Sequence, residues 1–129
     1  MGASVSVSIL TDRVPTSVGV DVVSLARIER ALTRGVFRTV CHQSELTAVP
    51  FEPEHAARVW TAKEAVVKTL GTGFWQAGVD FPEVRIGEDG AVTLHGNAKR
   101  LAPTAVFEVE FRALEGALVA IALRYDPIA

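Results

Sequence analysis

The spacing of hydrophobic residues changes along the chain from helical periodicity to alternation. Between Pro53 and Leu70, apolar residues recur every three or four positions, which is typical of a helix with one buried face. Proline is tolerated in the first turn of a helix, and a glycine such as Gly71 is a common stop. The residues of this long helix that we expect to face the core are Val59, Ala62, Val66 and Leu70.

The segment before the long helix predicts one strand and one shorter helix. Val18 to Val23 is a β-branched run typical of a strand, and Ser24 can cap a helix that starts at Leu25. This helix is expected to reach about Arg34 and to end at Gly35. We expect residues 37–49 to be irregular, with one short helical turn.

Strand patterns dominate after Gly78. Two short apolar runs flank the turn Gly87 to Gly90, which indicates a hairpin, and two longer runs flank the turn Ala113 to Gly116. The predicted elements are strands at Val84–Ile86, Val92–Leu94, Val106–Phe111 and Ala117–Tyr125, with one helical stretch at Asn97–Leu101. Helices followed by strands favour the α+β class, as one small domain in which a long helix packs on an antiparallel sheet.

Residues 17–129 form this predicted domain, and residues 1–16 are an N-terminal extension. Ser and Val alternate from Ser4 to Leu10, and two interpretations stay open: an extra edge strand, or a tail. The extension lacks the basic leader and long apolar block of a signal peptide.

Composition narrows the function classes. The chain has 129 residues, of which 49% are hydrophobic, enough for the core of a single domain; self-association would cover leftover apolar surface. A formal net charge of −2 provides no general attraction to nucleic acid or to a membrane surface, and no apolar run is long enough to span a membrane. Cys41 is the only cysteine, which excludes intrachain disulfides and favours a reducing, cytoplasmic location.

Two carboxylates stand out as candidate ligands. Asp21 lies inside an apolar strand, where a carboxylate is unfavourable unless a cation or several donors satisfy it. In the long helix Trp60, Glu64 and Lys68 are spaced four apart and share one face, with Lys63 next to Glu64. The structural interpretation is a solvated Glu–Lys pair and a strand-end aspartate. The functional one is a magnesium site, because magnesium prefers one or two carboxylates plus phosphates, and lysines can serve the phosphate oxygens.

Two further features have both a structural and a functional interpretation. Gly71-Thr72-Gly73 is either a helix stop or a place where backbone approaches a phosphate. Arg27, Arg30 and Arg34 are spaced to form one basic stripe, which is either a solvated face or a docking surface for an acidic protein. The histidines His42, His55 and His95 show no ligand spacing.

These pieces together resemble a known family, the phosphopantetheinyl transferases. Gly19-Val20-Asp21-Val22-Val23 with Arg27 is similar to the first family signature, and Trp60 to Lys68 is similar to the second, W/F-x-x-K-E-A-x-x-K. Leu70 to Gly73 continues the second signature, and Ser44-Glu45-Leu46 resembles the acidic stretch between the two. The short chain resembles the holo-acyl-carrier-protein-synthase branch in particular.

The resemblance implies transfer of 4′-phosphopantetheine from coenzyme A to a serine of an acyl or polyketide carrier protein, with release of 3′,5′-adenosine bisphosphate. It implies a homotrimer in which Asp21 and Glu64 hold magnesium and act in catalysis together with Lys68. Lys63, Lys68, Gly71 and Gly73 would contact coenzyme A. The stripe Arg27, Arg30 and Arg34 would bind the carrier protein.

The chain departs from the family pattern at two places. Val59 stands where the family has an arginine before the aromatic residue, with Arg58 one position earlier. Phe111 to Glu115 replaces a Ser-His dyad, and Arg112 is the candidate there for a phosphate or adenine contact. Two other hypotheses stay open: a non-catalytic module of the same fold that binds coenzyme A or a carrier protein, and an unrelated α+β domain in which Asp21 and Glu64 lie far apart.

Overall fold

The structure is a computed structural model, and it describes residues 14–47, 52–71 and 78–127. Five strands and five helices follow one another within these ranges. In chain order they are β1 (Ser17–Ser24), α1 (Leu25–Thr33), α2 (Phe37–Val40), α3 (Gln43–Thr47), α4 (Pro53–Thr69), β2 (Val84–Ile86), β3 (Val92–Leu94), α5 (Gly96–Leu101), β4 (Val106–Leu114) and β5 (Ala117–Tyr125).

Three strands form the main antiparallel sheet, in the order β1-β5-β4. Its register pairs Asp21 with Ala120 and Ala120 with Phe111. The predicted α+β class with an antiparallel sheet is confirmed. The predicted turn from Ala113 to Gly116 is too long, because Ala113 and Leu114 still pair with β5. Gly116 has a φ of 72°, which allows a tight two-residue connection.

Helix α4 crosses one face of this sheet and forms the centre of the core. Its start follows the sequence, with Pro53 in the first turn. The stripe predicted to face inward does so at Val59, Ala62 and Val66, which are buried, while Leu70 is half-buried against the same core. Small residues at the interface let helix and sheet backbones approach closely. The buried alanines of α4 and β5 are Ala56, Ala57, Ala62, Ala65, Ala120 and Ala122.

The opposite face of the sheet carries apolar side chains that the described residues leave exposed. Alternation along β1 turns Val18, Val20 and Val22 away from α4, and they are 54%, 50% and 59% exposed. The register places Val119, Ile121 and Leu123 of β5 beside them, each only partly buried. The β1 and β5 side chains of this open face are thus apolar and at least partly exposed.

The segment between α1 and α4 is more regular than expected. It contains two short helices, α2 and α3, where the sequence predicts a single helical turn. Phe37 and Val40 of α2 are buried, and the Phe37 ring meets the Trp60 ring edge-on at 5.9 Å between centroids. Tertiary packing thus stabilises a four-residue helix that local sequence alone would not.

Other predicted elements agree with the structure. The Ser24 hydroxyl caps α1 by accepting from the Arg27 backbone N–H at 3.2 Å, and β2 and β3 form the predicted hairpin. The strand predicted at Ser4 to Leu10 lies outside the described residues. Within the ranges that the structure describes, no helix is both long and apolar enough to cross a membrane.

Candidate active site

Asp21 lies on the face of β1 that contacts α4, and Gly19 makes that contact close. A Cβ added at Gly19 would lie 2.0 Å from the Ala65 carbonyl oxygen and 3.2 Å from Cβ of Lys68. Only glycine fits at this position, because any side chain would enter the helix backbone. The glycine of the first signature therefore brings Asp21 within reach of side chains on the last turns of α4.

Glu64 and Lys68 extend from α4 toward Asp21. The Lys68 ammonium lies 3.3 Å from Asp21 Oδ1 and donates to the Val20 carbonyl at 2.8 Å. Burial raises the pKa of the half-buried Glu64 carboxyl, the Asp21 charge raises this pKa further, and Lys68 opposes both. The two carboxylates are thus near enough to repel each other, so the hypothesis of an unrelated domain with distant carboxylates is wrong.

The donor set at this contact suits magnesium better than a transition metal. In the part of the chain that the structure describes, no three His, Cys, Asp or Glu side chains cluster as a complete ligand set. The Asp21 charge raises the pKa of the Glu64 carboxyl, and a hard divalent cation held between the two carboxylates would relieve this repulsion. Magnesium commonly takes one or two carboxylates and completes its octahedron with water and substrate phosphates.

The end of α4 lies beside this pair. Gly71 has a φ of 79° and its N–H donates to the Lys68 carbonyl at 3.2 Å, which confirms the predicted helix stop. Its contact with coenzyme A stays a prediction, and Gly73 lies outside the described residues. The Thr69 carbonyl accepts from Ser17 Oγ at 3.0 Å and from Arg124 Nη1 at 2.9 Å, so two strands hold the last turn of the helix in place.

Lys63 does not contribute to this site, and its predicted contact with phosphate is wrong. Its side chain is fully buried, and its ammonium donates to Glu45 Oε1 at 2.9 Å, to the Phe81 carbonyl at 3.1 Å and to the Val84 carbonyl. Burial lowers the pKa of Lys63, and Glu45 counteracts this effect. With three acceptors for three N–H groups and no solvent access, no donor remains for a ligand.

Arg112 is likewise not brought to the carboxylate pair of its own chain. Arg112 of β4 pairs with Val119 of β5. It directly follows Phe111, whose side chain shares a face with Asp21, so the Arg112 side chain starts from the opposite face of the sheet. The predicted contact of Arg112 with phosphate or adenine therefore stays a prediction. Arg58 has a different partner as well: its guanidinium lies over the Phe111 ring, 5.2 Å from the centroid.

The three arginines of the predicted stripe share one surface. Arg27, Arg30 and Arg34 line a cavity of about 290 Å³ next to the first strand. Apolar side chains form the rest of its wall, namely Val23, Ile28, Ala31, Val36 and Trp60. The Trp60 ring also stacks on Phe81, with 5.3 Å between centroids. The result is an apolar depression with a basic rim, which suits an acidic amphipathic partner.

Sequence reasoning missed the importance of Glu45. It is 4% exposed, and it accepts from Lys63 and from the backbone N–H groups of His42 and Ile86. The available signal was the stretch Ser44-Glu45-Leu46, which resembles the acidic segment of the family, but a single acidic residue there is equally typical of a surface turn. Burial of such a carboxylate depends on partners that are distant in sequence.

The fold and the site together define a class of protein. Helix α4 packs on one face of an antiparallel sheet, and two carboxylates and a lysine lie together where β1 contacts α4. Such a set fits enzymes that transfer phosphate-containing groups from polyphosphate substrates.

Comparisons with known proteins agree with this class. The sequence profile of the 4′-phosphopantetheinyl transferase superfamily matches residues 17–122. Holo-[acyl-carrier-protein] synthase of Solidesulfovibrio magneticus is 44% identical over 88 residues, which cover 62% of this chain and 71% of that protein. Its counterpart in Alkalilimnicola ehrlichii is 36% identical over 93 residues, covering 64% and 72%. The chain therefore belongs to the 4′-phosphopantetheinyl transferase superfamily, and it is of the holo-[acyl-carrier-protein] synthase type.

A solved structure supports the fold independently. The crystal structure of Helicobacter pylori holo-[acyl-carrier-protein] synthase in complex with coenzyme A aligns with a TM-score of 0.73 at 22% identity. The alignment covers 84% of this chain and 100% of that one. At this identity the likeness concerns the fold alone.

Proposed function

We propose that this chain transfers 4′-phosphopantetheine from coenzyme A to a serine of an acyl or polyketide carrier protein, in a magnesium-dependent reaction. The observation that carries the proposal is the meeting of Asp21, Glu64 and Lys68 where β1 touches α4. Membership of the superfamily provides the reaction class, and the site provides groups that suit a pyrophosphate.

In the proposed reaction, the serine hydroxyl attacks the β-phosphorus of coenzyme A. A bond forms from the serine oxygen to this phosphorus, the bond from phosphorus to the bridging oxygen breaks, and 3′,5′-adenosine bisphosphate leaves with that oxygen. The Lys68 ammonium is half-exposed and would serve phosphate oxygens as a point charge. The Glu64 carboxylate would accept the serine proton, directly or through water. Most of the acceleration then comes from positioning and charge stabilisation.

Asp21 and Glu64 would hold magnesium, since their carboxylates are the oxygen donors at the site. When bound, the ion neutralises charge on the pyrophosphate and orients it. Glu64 and Asp21 need the tight contact at Gly19 to stay within reach of one cation.

The basic-rimmed cavity on α1 is the proposed docking surface for the carrier protein. Arg27, Arg30 and Arg34 would attract an acidic helix, and the apolar wall would receive one of its side chains. Opposite charges on two proteins chiefly raise the association rate and fix the orientation. This surface includes Val23, two residues after Asp21, and Trp60, one helical turn before Glu64. A partner docked there would therefore lie near the proposed site.

The open face of the sheet supports the proposed homotrimer. Val18, Val20 and Val22 are each at least half exposed on one continuous apolar surface, which in a small domain is unfavourable unless another copy covers it. In such an assembly Arg112, which extends from this same face, would point toward a neighbouring copy. A contact between Arg112 and coenzyme A is accordingly proposed only across copies.

The test is intact-mass spectrometry of an apo carrier protein incubated with this protein, coenzyme A and magnesium. A gain of one phosphopantetheine group is expected, and it should disappear with Glu64→Gln or after removal of metal. Glu88→Gln, in the exposed β2–β3 turn, is the matched control and should transfer normally. Coenzyme A binding without transfer, across fatty-acid and polyketide carriers, would instead favour the non-catalytic module.

A further inference from the structure

The buried ammonium of Lys63 connects α4 to the segment that leads into the second sheet. It donates to the Phe81 carbonyl at 3.1 Å, just before β2, and to the Val84 carbonyl at the start of that strand. Its third acceptor is the Glu45 carboxylate at 2.9 Å. All three N–H groups of the Lys63 ammonium thus bond to acceptors on two chain segments, so the ammonium has little freedom to move.

Glu45 completes the connection from the other side. Its Oε1 accepts from Lys63 and from the His42 backbone N–H at 2.8 Å, and its Oε2 accepts from the Ile86 N–H at 2.8 Å. Among the described residues, no buried side-chain nitrogen or oxygen lacks a hydrogen-bond partner. The pair therefore ties α3, α4 and β2 together by directional bonds, which tolerate far less displacement than apolar contacts do.

These bonds restrict the rotation of α4 about its own axis. Lys63 and Glu64 are adjacent, so their side chains leave the helix about 100° apart. Holding Lys63 toward β2 therefore sets the direction in which Glu64 leaves the helix, toward Asp21 on β1. At a side-chain radius of about 5–6 Å, a rotation of about 10° moves a carboxylate by about 1 Å.

We propose that Lys63 and Glu45 are positioning residues of the active site, which hold the Glu64 carboxylate where it can share a cation with Asp21. This inference rests on the proposed function, because it concerns the cation that the reaction uses. Neither residue touches substrate in this role, since both side chains are buried and bonded to each other. Displacements of about 1 Å in an active site can lower rates by about a hundredfold.

The test measures cation binding directly, with Mn²⁺ as the probe and electron paramagnetic resonance as the readout, with and without coenzyme A. Glu45→Gln and Lys63→Met are compared with the wild type at a temperature where circular dichroism shows each protein folded. Both should weaken Mn²⁺ binding by about tenfold, the lower end of what loss of a supporting residue costs a metal site. Glu45→Gln leaves no unpaired buried carboxylate, so it keeps the test valid if Lys63→Met does not fold.

Tyr125→Phe is the matched control for a merely structural effect. It removes another hydrogen bond of a buried side chain, from the Tyr125 hydroxyl to Glu108 at 3.2 Å, on the face of the sheet away from α4. Its Mn²⁺ affinity should equal that of the wild type. Wild-type Mn²⁺ affinity in folded Glu45→Gln would overturn the inference. So would a loss of Mn²⁺ affinity in Tyr125→Phe as large as that in Glu45→Gln.

The outcomes separate this inference from the proposed function. Wild-type protein that binds Mn²⁺ but transfers nothing would refute the transferase proposal, while the variants would still decide the positioning role. Normal transfer, with metal affinity that the variants do not change, would refute the positioning role alone. Wild-type protein that binds no Mn²⁺, with or without coenzyme A, would refute both.

Discussion

Replacing Gly19 by alanine tests how strongly the site depends on the contact between β1 and α4. The new methyl group would lie 2.0 Å from the Ala65 carbonyl oxygen and 3.0 Å from its carbonyl carbon. Both are backbone atoms of a helix interior, so no side-chain rotation relieves the clash. The strand and the helix would have to separate by about 1 Å to restore even a tight contact of 3.0 Å.

The expected effect on activity is larger than the effect on stability. Overpacking a well-packed core costs about 1–3 kcal/mol, and a backbone clash lies at the upper end of that range. Separation of about 1 Å also moves Asp21 away from Glu64 and Lys68, and such a displacement can lower the rate by about a hundredfold. We therefore expect Gly19→Ala to be folded but less stable, and nearly inactive.

Urea unfolding followed by circular dichroism measures the stability, and intact-mass spectrometry of the carrier protein measures the transfer rate. Gly87→Ala is the control, because its nearest neighbour is the movable Asp89 side chain at 3.0 Å and the residue is exposed. It should change both quantities little. Gly19→Ala protein with wild-type stability and wild-type transfer would show that the close contact does not position the site.

The remaining predictions concern single features of the structure. Asp21→Asn should lower transfer by about a hundredfold or more while changing the unfolding free energy by under about 1 kcal/mol, because its Lys68 partner is half-exposed; a large loss of stability in urea would contradict this. Burial, reinforced by the charge of Glu45, raises the pKa of the Cys41 thiol to about 12. The reactive thiolate is therefore scarce at pH 8, and iodoacetamide should label Cys41 only after unfolding. Rapid labelling of the folded protein would be inconsistent with the burial. Val20→Asp should abolish self-association in size-exclusion chromatography with light scattering, whereas Leu101→Asp, at another exposed apolar residue, should not. Charge reversal at Arg27 and Arg30 should weaken carrier binding at low salt in a titration, and the same reversal at the exposed Lys99 and Arg100 of α5 should leave it intact.

Local pattern was sufficient for most of the secondary structure. The long helix, its proline start and its glycine stop follow from residue type and spacing, and so do the hairpin β2–β3 and the Ser24 cap. The helices α2 and α3 were only partly predicted, because four or five residues contain too little periodicity. Tertiary contacts hold them instead: Phe37 of α2 packs against Trp60, and Glu45 of α3 bonds to Lys63 and Ile86.

The sequence likewise predicted some residues of the candidate site and not others. Asp21, Glu64 and Lys68 were predicted from two short motifs, and the structure brings them together. Lys68, four residues after Glu64 on the same helix face, and Lys63, next to Glu64, were both candidates for contact with phosphate. The structure buries one with Glu45 and leaves the other half-exposed beside Asp21, because successive helix positions face different neighbours.

The sequence by itself determined the fold class, the family resemblance and the side chains able to serve a pyrophosphate, since these depend on residue type and on spacing of a few positions. Only the tertiary structure decided that Lys63 is structural, that Glu45 is its partner and that Arg112 starts from the opposite face of the sheet. Those outcomes depend on which distant segments share an interior and on the register of β4 with β5. Burial and strand register are properties of the folded chain, and no short run of residues contains them.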